Sequence, residues 1–241
     1  MHANPDKFQG LVLGPKKLTD NVQLVVGDTL LNADENIKLL GLNIDNKLSF
    51  DNHISEVCKK AARQLNALAR LGRCLDESGK MMVLKTFLLS NFNYCPTIWN
   101  FCTVTNTKKI EKLQERGLRI VFCDFNSTYE QLLERAHLKT LKQGRIRAIQ
   151  CETFKILHQL GPTYNHNLYQ YKRTSHSTRG ASNVLLPRVR TTGYGQNSLR
   201  YYGAKLWNML PDAMKTIDDF NDFKQQIFNW DLPQCGCAMC C

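Results

Sequence analysis

Three groups of residues in this 241-residue chain are of types and spacings that could do chemistry. The first is the acid pair Asp218-Asp219, because adjacent carboxylates are the groups that hold catalytic metal ions. Ile217 precedes it and Phe220 follows it at the start of an apolar-periodic stretch, where first-turn acids complement a helix dipole, so the pair reads as a helix start and no catalytic residue is assigned. The second is Cys235, Cys237, Cys240 and Cys241. Four thiolates suffice for tetrahedral zinc, but structural sites use two pairs set well apart, and here all four fall in the last seven residues. The spacing thus argues against a self-contained zinc site, and unstructured, oxidation-prone thiols are the reading of the residues themselves. No nucleophile elbow, phosphate loop or His-Glu-x-x-His pattern occurs, and His53, His137 and His158 sit in helical patterns as ordinary surface or core residues.

The third group is basic. The formal net charge is +11, which favours an anionic partner such as nucleic acid or an acidic membrane. Between Leu141 and Lys205, Lys142, Arg145, Arg147, Lys155, Lys172, Arg173, Arg179, Arg188, Arg190, Arg200 and Lys205 face one acid, Glu152. Phe154, Tyr164, Tyr169, Tyr171, Tyr194, Tyr201 and Tyr202 are interleaved with them, which suits single-stranded nucleic acid, whose backbone follows cations while bases stack on rings. The alternative is aromatic packing in an irregular core. Packing is the reading for Tyr201 and Tyr202 beside Trp207; nucleic-acid contact is the reading for Arg173, Arg179, Arg188 and Arg190, with Arg145 in the same window. A second basic set, Lys59, Lys60 and Arg63, lies opposite the apolar face of a helix and either tracks phosphates or is simply solvated.

These residues need elements to place them. The composition, 43% apolar and 22% charged, is that of a globular chain of one or two domains. Residues 7 to 14 and 22 to 26 are β-prone, Gly27-Asp28 signals a turn, and Ile37 to Ile44 completes a small strand set. From Asp51 the period changes: Ile54, Val57, Cys58, Ala61, Ala62, Leu65, Leu68 and Ala69 line a helix ended near Gly72. Further helices are expected over 77 to 91, from a cap at Thr105 or Asn106 to Phe122, and from a Ser127–Glu130 capping box to Ala136. Ile146 to Leu160 line another helix that stops at Gly161-Pro162. Residues 172 to 196 read as a loop or weak strand pair, followed by a compact element over 199 to 210 and a last helix through Phe220, Phe223, Ile227 and Phe228. The expectation is a mainly α protein, a helical bundle preceded by a small antiparallel β element. Its divisions are 1–50, 51–136, 137–230 and a cysteine-rich tail at 231–241.

Cys58, Cys74, Cys95, Cys102, Cys123 and Cys151 are scattered singly through helix-like segments, which points to free thiols in a reducing compartment. Neither a signal peptide nor an apolar run of membrane-spanning length is present, so nucleus or cytoplasm is expected, with no secretion and no membrane partner.

Leu39-Leu40-Gly41-Leu42-Asn43-Ile44-Asp45, followed by Lys47-Leu48-Ser49-Phe50 and His53-Ile54, resembles the passage from palm to thumb in reverse transcriptases of jockey-like non-LTR retrotransposons. Asn4-Pro5-Asp6-Lys7-Phe8-Gln9 is similar to the palm motif just downstream of the catalytic aspartates. Ser198 with Tyr202-Gly203-Ala204-Lys205-Leu206-Trp207-Asn208-Met209-Leu210-Pro211 resembles the C-terminal region of these elements, and the Cys-x-Cys-x-x-Cys tail resembles their endings, which implies partial zinc ligation by Cys235, Cys237 and Cys240 completed by another group as the alternative to free thiols. Order and spacing agree over nearly the whole chain. The resemblance implies an RNA-directed DNA polymerase whose metal ions, Mg in the parent, are held by an earlier palm motif and an aromatic-x-Asp-Asp turn. This sequence has neither, so the expected identity is a fragment comprising the end of the palm, the thumb and the C-terminal region. It would bind a template-primer duplex or single strand without catalysis of its own, alongside the missing palm and fingers. A stand-alone nucleic-acid-binding module and a non-functional remnant are the rival readings. The resemblance further implies that Lys7 lies near the incoming nucleotide, with an edge-strand lysine as the alternative. It also implies that Leu40-Gly41 is the turn that holds the primer end.

Overall fold

The computed structural model describes residues 8–14, 22–27, 29–72, 74–172 and 182–230. The chain divides into two compact units, one of residues 1–95 with 99–142, the other of 96–98 with 143–241. The small β element and the helices that follow it therefore share one unit.

In the first unit, β1 (Gln23–Val26) pairs antiparallel with β2 (Thr29–Asn32), and β3 (Asn36–Leu39) pairs antiparallel with β4 (Leu42–Asp45). The segment from Ile37 to Ile44, expected to complete the strand set, is thus a hairpin. Leu40 (φ 47°) and Gly41 (φ 87°) form its two-residue turn, and left-handed values at both positions match the twist of the flanking strands. The apolar run Leu39-Leu40-Gly41-Leu42 carries none of the Asn-Gly chemistry that usually marks such a turn, which hides it in the sequence. Residues 8–14 supply one isolated bridge, Leu11 to Asp34, in place of a strand.

Asp45 builds the corner from strand to helix. Its carboxylate accepts the N–H groups of Lys47 (3.0 Å), Ser49 (3.0 Å) and Phe50 (2.7 Å) and the Ser49 hydroxyl (3.1 Å). Leu48 (φ 54°) and Phe50 (φ 58°) are held in left-handed conformations that ordinary residues adopt only when their surroundings over-determine them. Burial alone would raise the Asp45 pKa, but these hydrogen bonds outweigh it and leave the carboxyl below its ordinary value.

From that corner α1 (Asp51–Leu71) buries His53, Ile54, Ala61, Leu65 and Leu68 at helical spacing. The next helix has three parts: α2 (Glu77–Val83), a π-helical segment at Leu84–Leu89, and α3 (Ser90–Phe92). The regular helix expected over 77 to 91 is correct in extent but not in winding. Side chains cover backbone carbonyls around the widened turns: Thr86 Oγ1 donates to Met82 O (2.8 Å), and Asn91 Nδ2 donates to Phe87 O (2.8 Å) and Leu88 O (3.0 Å).

After α4 (Pro96–Trp99), α5 (Val104–Phe122) begins at the cap Thr103, ahead of the expected Thr105 or Asn106. α6 (Tyr129–Arg135) opens on a Thr128–Gln131 capping box, one residue beyond the expected Ser127–Glu130. Ser127 is engaged elsewhere, donating to Asp124 Oδ2 at 2.5 Å. The Ser127 hydroxyl and amide and the Asn126 N–H lower the Asp124 carboxyl to about 2. Leu65, Leu68, Leu84, Phe92, Trp99, Ile110 and Leu118 are the centre of this unit's core, each fully buried Leu or Phe contributing about 1.5–3 kcal/mol.

The second unit is helical around an irregular segment. α7 (Leu141–Leu157), α8 (Leu199–Asn208), α9 (Asp212–Lys215) and α10 (Phe220–Asn229) surround Phe154, Trp207 and Phe223, with Phe154 stacked on Phe223 at 4.4 Å between ring centroids. Between α7 and α8 the segment expected as a loop or a weak strand pair carries, among its described residues, one isolated bridge, Tyr171 to Val184. The class is mainly α with two small antiparallel sheets, and among the described residues no helix is long and apolar enough to cross a membrane.

Candidate nucleic-acid interface

The first unit carries a groove of about 690 Å³ between the β3–β4 turn, one face of α1 and the end of α3. Lys38, Gly41, His53, Glu56, Lys59, Lys60, Arg63, Ser90, Asn91 and Tyr94 line it. Lys59 and Lys60 lie three and four residues after Glu56, and Arg63 lies four and three residues after them, which places the set on one side of the helix. Lys59, Lys60 and Arg63 are exposed and form no ion pair among the described residues. The groove's carboxylate, Glu56, is bonded by Asn43 Nδ2 at 2.7 Å.

The walls are tied together. Asn52 Nδ2 donates to Asn36 Oδ1 (3.0 Å), which with the Asn43–Glu56 bond latches the hairpin to α1. Asn91 Nδ2 donates to Gln64 Oε1 (2.6 Å), joining α3 to the same helix. Tyr94 donates its hydroxyl to the carbonyl of Leu40, and Trp99 Nε1 donates to Tyr94 O (2.9 Å). Gly41 therefore faces the Tyr94 ring at the rim. His53 is buried at the floor; burial lowers its pKa, and the Glu56 charge only partly opposes this. The arrangement is a fixed cationic trough whose floor is neutral at physiological pH, suited to a phosphate backbone that gains from counterion release.

The groove unites Gly41, Lys59, Lys60 and Arg63, all singled out in the sequence, and adds Lys38, Ser90, Asn91 and Tyr94, which were not. Lys38 was within reach of a sequence reading: once β3 and β4 are a hairpin, it lies two residues from the turn. Tyr94 carries no such signal, since its partner is 54 residues away.

The described residues of the basic window do not all lie on the surface. Arg145 is 2% exposed and so does not present its guanidinium to a phosphate chain, a correction to its reading as a contact. The apolar side of α7 includes Ile146, Ile149, Thr153 and Ile156, and the helix carries Arg145 and Arg147 into buried positions with them. Arg147 stacks over Phe228 at 5.0 Å and donates to Trp230 O at 3.4 Å. Arg188 and Arg190 are exposed and form no ion pair among the described residues. The aromatics divide in the same way. Phe154, Tyr169 and Tyr202 are core residues, whereas Tyr164, Tyr171 and Tyr194 are exposed. Lys7, Arg173, Arg179, Cys235, Cys237 and Cys240 lie outside the described residues.

The block Tyr202 to Pro211 clamps the irregular segment. Asn208 accepts the Val184 N–H (2.9 Å) and donates to Val184 O (3.0 Å), Trp207 Nε1 donates to Ser182 O (3.0 Å), and buried Lys215 donates to Asn183 Oδ1 (2.8 Å). Asp219 caps α10, accepting Asn221 N at 2.8 Å and Asp222 N at 2.9 Å. Among the described residues no group of three His, Cys, Asp or Glu could hold a metal ion. The six described cysteines are free, with burial raising the Cys58 and Cys151 thiols. No family model, curated protein or solved structure matches this chain.

Proposed function

We propose that this chain is the end of the palm, the thumb and the C-terminal region of a reverse transcriptase of the jockey-like non-LTR kind, and that it holds nucleic acid in the groove beside α1. The resemblance of residues 39–54 and 198–211 supports the family. The observation that carries the binding reading is the convergence of Lys38, Lys59, Lys60 and Arg63 on one groove rimmed by the Leu40-Gly41 turn. Each cation that meets a phosphate releases counterions, so affinity falls with salt in proportion to the contacts made. Asp219 of the sequence's one Asp-Asp pair caps a helix, so polymerisation is assigned to the parent protein and not to this chain.

A labelled primer-template and a labelled single strand, titrated over a series of salt concentrations, test the reading. The expected log–log slope is about 0.9 per duplex phosphate neutralised and about 0.7 for a single strand. Replacing Lys38, Lys59, Lys60 and Arg63 together by Ala should reduce the slope by about one per residue. A slope unchanged by the fourfold replacement places the footprint elsewhere.

A further inference from the structure

Outside the groove, the first unit holds a buried amine against an open thiol. Lys80, on α2, is 9% exposed, and its Nζ lies 3.6 Å from Cys123 Sγ. That sulfur is its one hydrogen-bond acceptor among the described residues, and no carboxylate pairs with it. The Cys123 sulfur is therefore the group that this amine faces. Its stem is confined as well, since a Cβ on Gly72 would lie 3.5 Å from Lys80 Cε. Cys123 ends α5 in a left-handed conformation (φ 52°), its N–H bonded to Arg119 O and its side chain exposed. Small solutes reach the sulfur, and the amine waits behind it.

We propose that Lys80 and Cys123 form a reversible sulfenamide cross-link when a peroxide reaches Cys123. In the first step the sulfur takes one oxygen from the peroxide, whose O–O bond breaks to leave an alcohol or water, and the thiol becomes a sulfenic acid. In the second, the lone pair of neutral Lys80 Nζ attacks sulfur as the S–O bond breaks. The departing hydroxide takes a proton from nitrogen and leaves as water. Sulfur is oxidised by two electrons, the peroxide is reduced by two, and an S–N bond remains. A small thiol reverses the change by attacking sulfur, which returns the amine and leaves a mixed disulfide that a second thiol opens. The link ties α2 to the end of α5 and closes a loop with a sequence separation of 43 residues, within which Ser90, Asn91 and Tyr94 lie. It is independent of whether the groove binds nucleic acid.

The test is peptide mapping by mass spectrometry, without reductant, of the full chain treated with hydrogen peroxide. Expected is a species joining the Lys80 and Cys123 peptides, two hydrogens lighter than their sum, absent from Cys123→Ser and from Lys80→Arg and removed by added thiol. The linked protein should melt roughly 5–15 °C higher than the thiol-treated protein, since a long loop is closed in the unfolded chain. Recovery of Cys123 as sulfinic acid or as a disulfide to another cysteine, with Lys80 unmodified, overturns the proposal. So does a cross-link heavier by one oxygen.

Discussion

The carboxylate of Asp45 satisfies three backbone N–H groups that the corner between β4 and α1 would otherwise leave without partners. Asp45→Ala should destabilise the first unit by about 1–3 kcal/mol at neutral pH, measured by urea unfolding. The sign of its pH dependence follows from the depressed pKa: the contribution is present above the unfolded value near 3.8 and is lost as pH falls through the lower folded value. The gap between wild type and Asp45→Ala should therefore close in strong acid. His53 acts in the opposite range, because its folded pKa is lowered and the unfolded chain takes the proton first. Stability should fall as pH drops below about 6.5, and His53→Gln should flatten that limb of the profile; an unchanged profile would show that His53 is not its source. At this scale the sequence disclosed the cations of α1, because helical spacing alone puts them on one side. It did not disclose Tyr94 or Asn91, which depend on contacts made by folding, nor the burial of Arg145, since charge says nothing about which way a side chain faces.

Among the elements, the β3–β4 hairpin places a leucine where asparagine is the usual choice for a left-handed first turn position. Leu40 is 83% exposed, so its side chain gains little from packing. Leu40→Asn should stabilise the unit by about 0.5–1 kcal/mol in the same urea assay, and a loss of stability would mean that Leu40 contributes contacts of its own. In the second unit, a Cβ at Gly203 would come within 2.1 Å of Tyr169 Oη and 2.6 Å of Thr153 Oγ1. Gly203→Ala should displace the Tyr169 ring, break its 2.7 Å hydrogen bond to Leu199 O and cost about 1–3 kcal/mol, read as a Tm several degrees lower. Helix extents were largely legible because apolar periodicity sustained over ten or more residues matches the helical repeat and no strand repeat. The cap of α6 slipped by one position where two hydroxyl residues stand together, at Ser127-Thr128, and Asp124, three residues earlier, engages Ser127 and leaves Thr128 to cap.

For the molecule as a whole, net charge is a weaker guide than its distribution. Most of the excess falls in a window whose described arginines include Arg145 and Arg147, buried on a helix, and Arg188 and Arg190, exposed in a loop, whereas the better-formed trough belongs to the first unit. Arg188→Ala with Arg190→Ala should weaken binding across nucleic-acid sequences alike and lower the salt slope by about two; unchanged affinity would leave the second unit without a part in binding. The division into two units was not legible at its observed boundary, because α7 runs through it without a break in periodicity. The π-helical segment bears on how the first unit is assembled. In a regular α-helix every fourth residue precesses by about 40°, so Leu84, Leu88 and Phe92 would spiral away from the core. The widened turns cancel that drift and hold all three in line while Asn91 reaches across to Gln64. The segment is a phase corrector, and shortening it by a single residue would rotate one wall of the trough by about 100° out of register with the other.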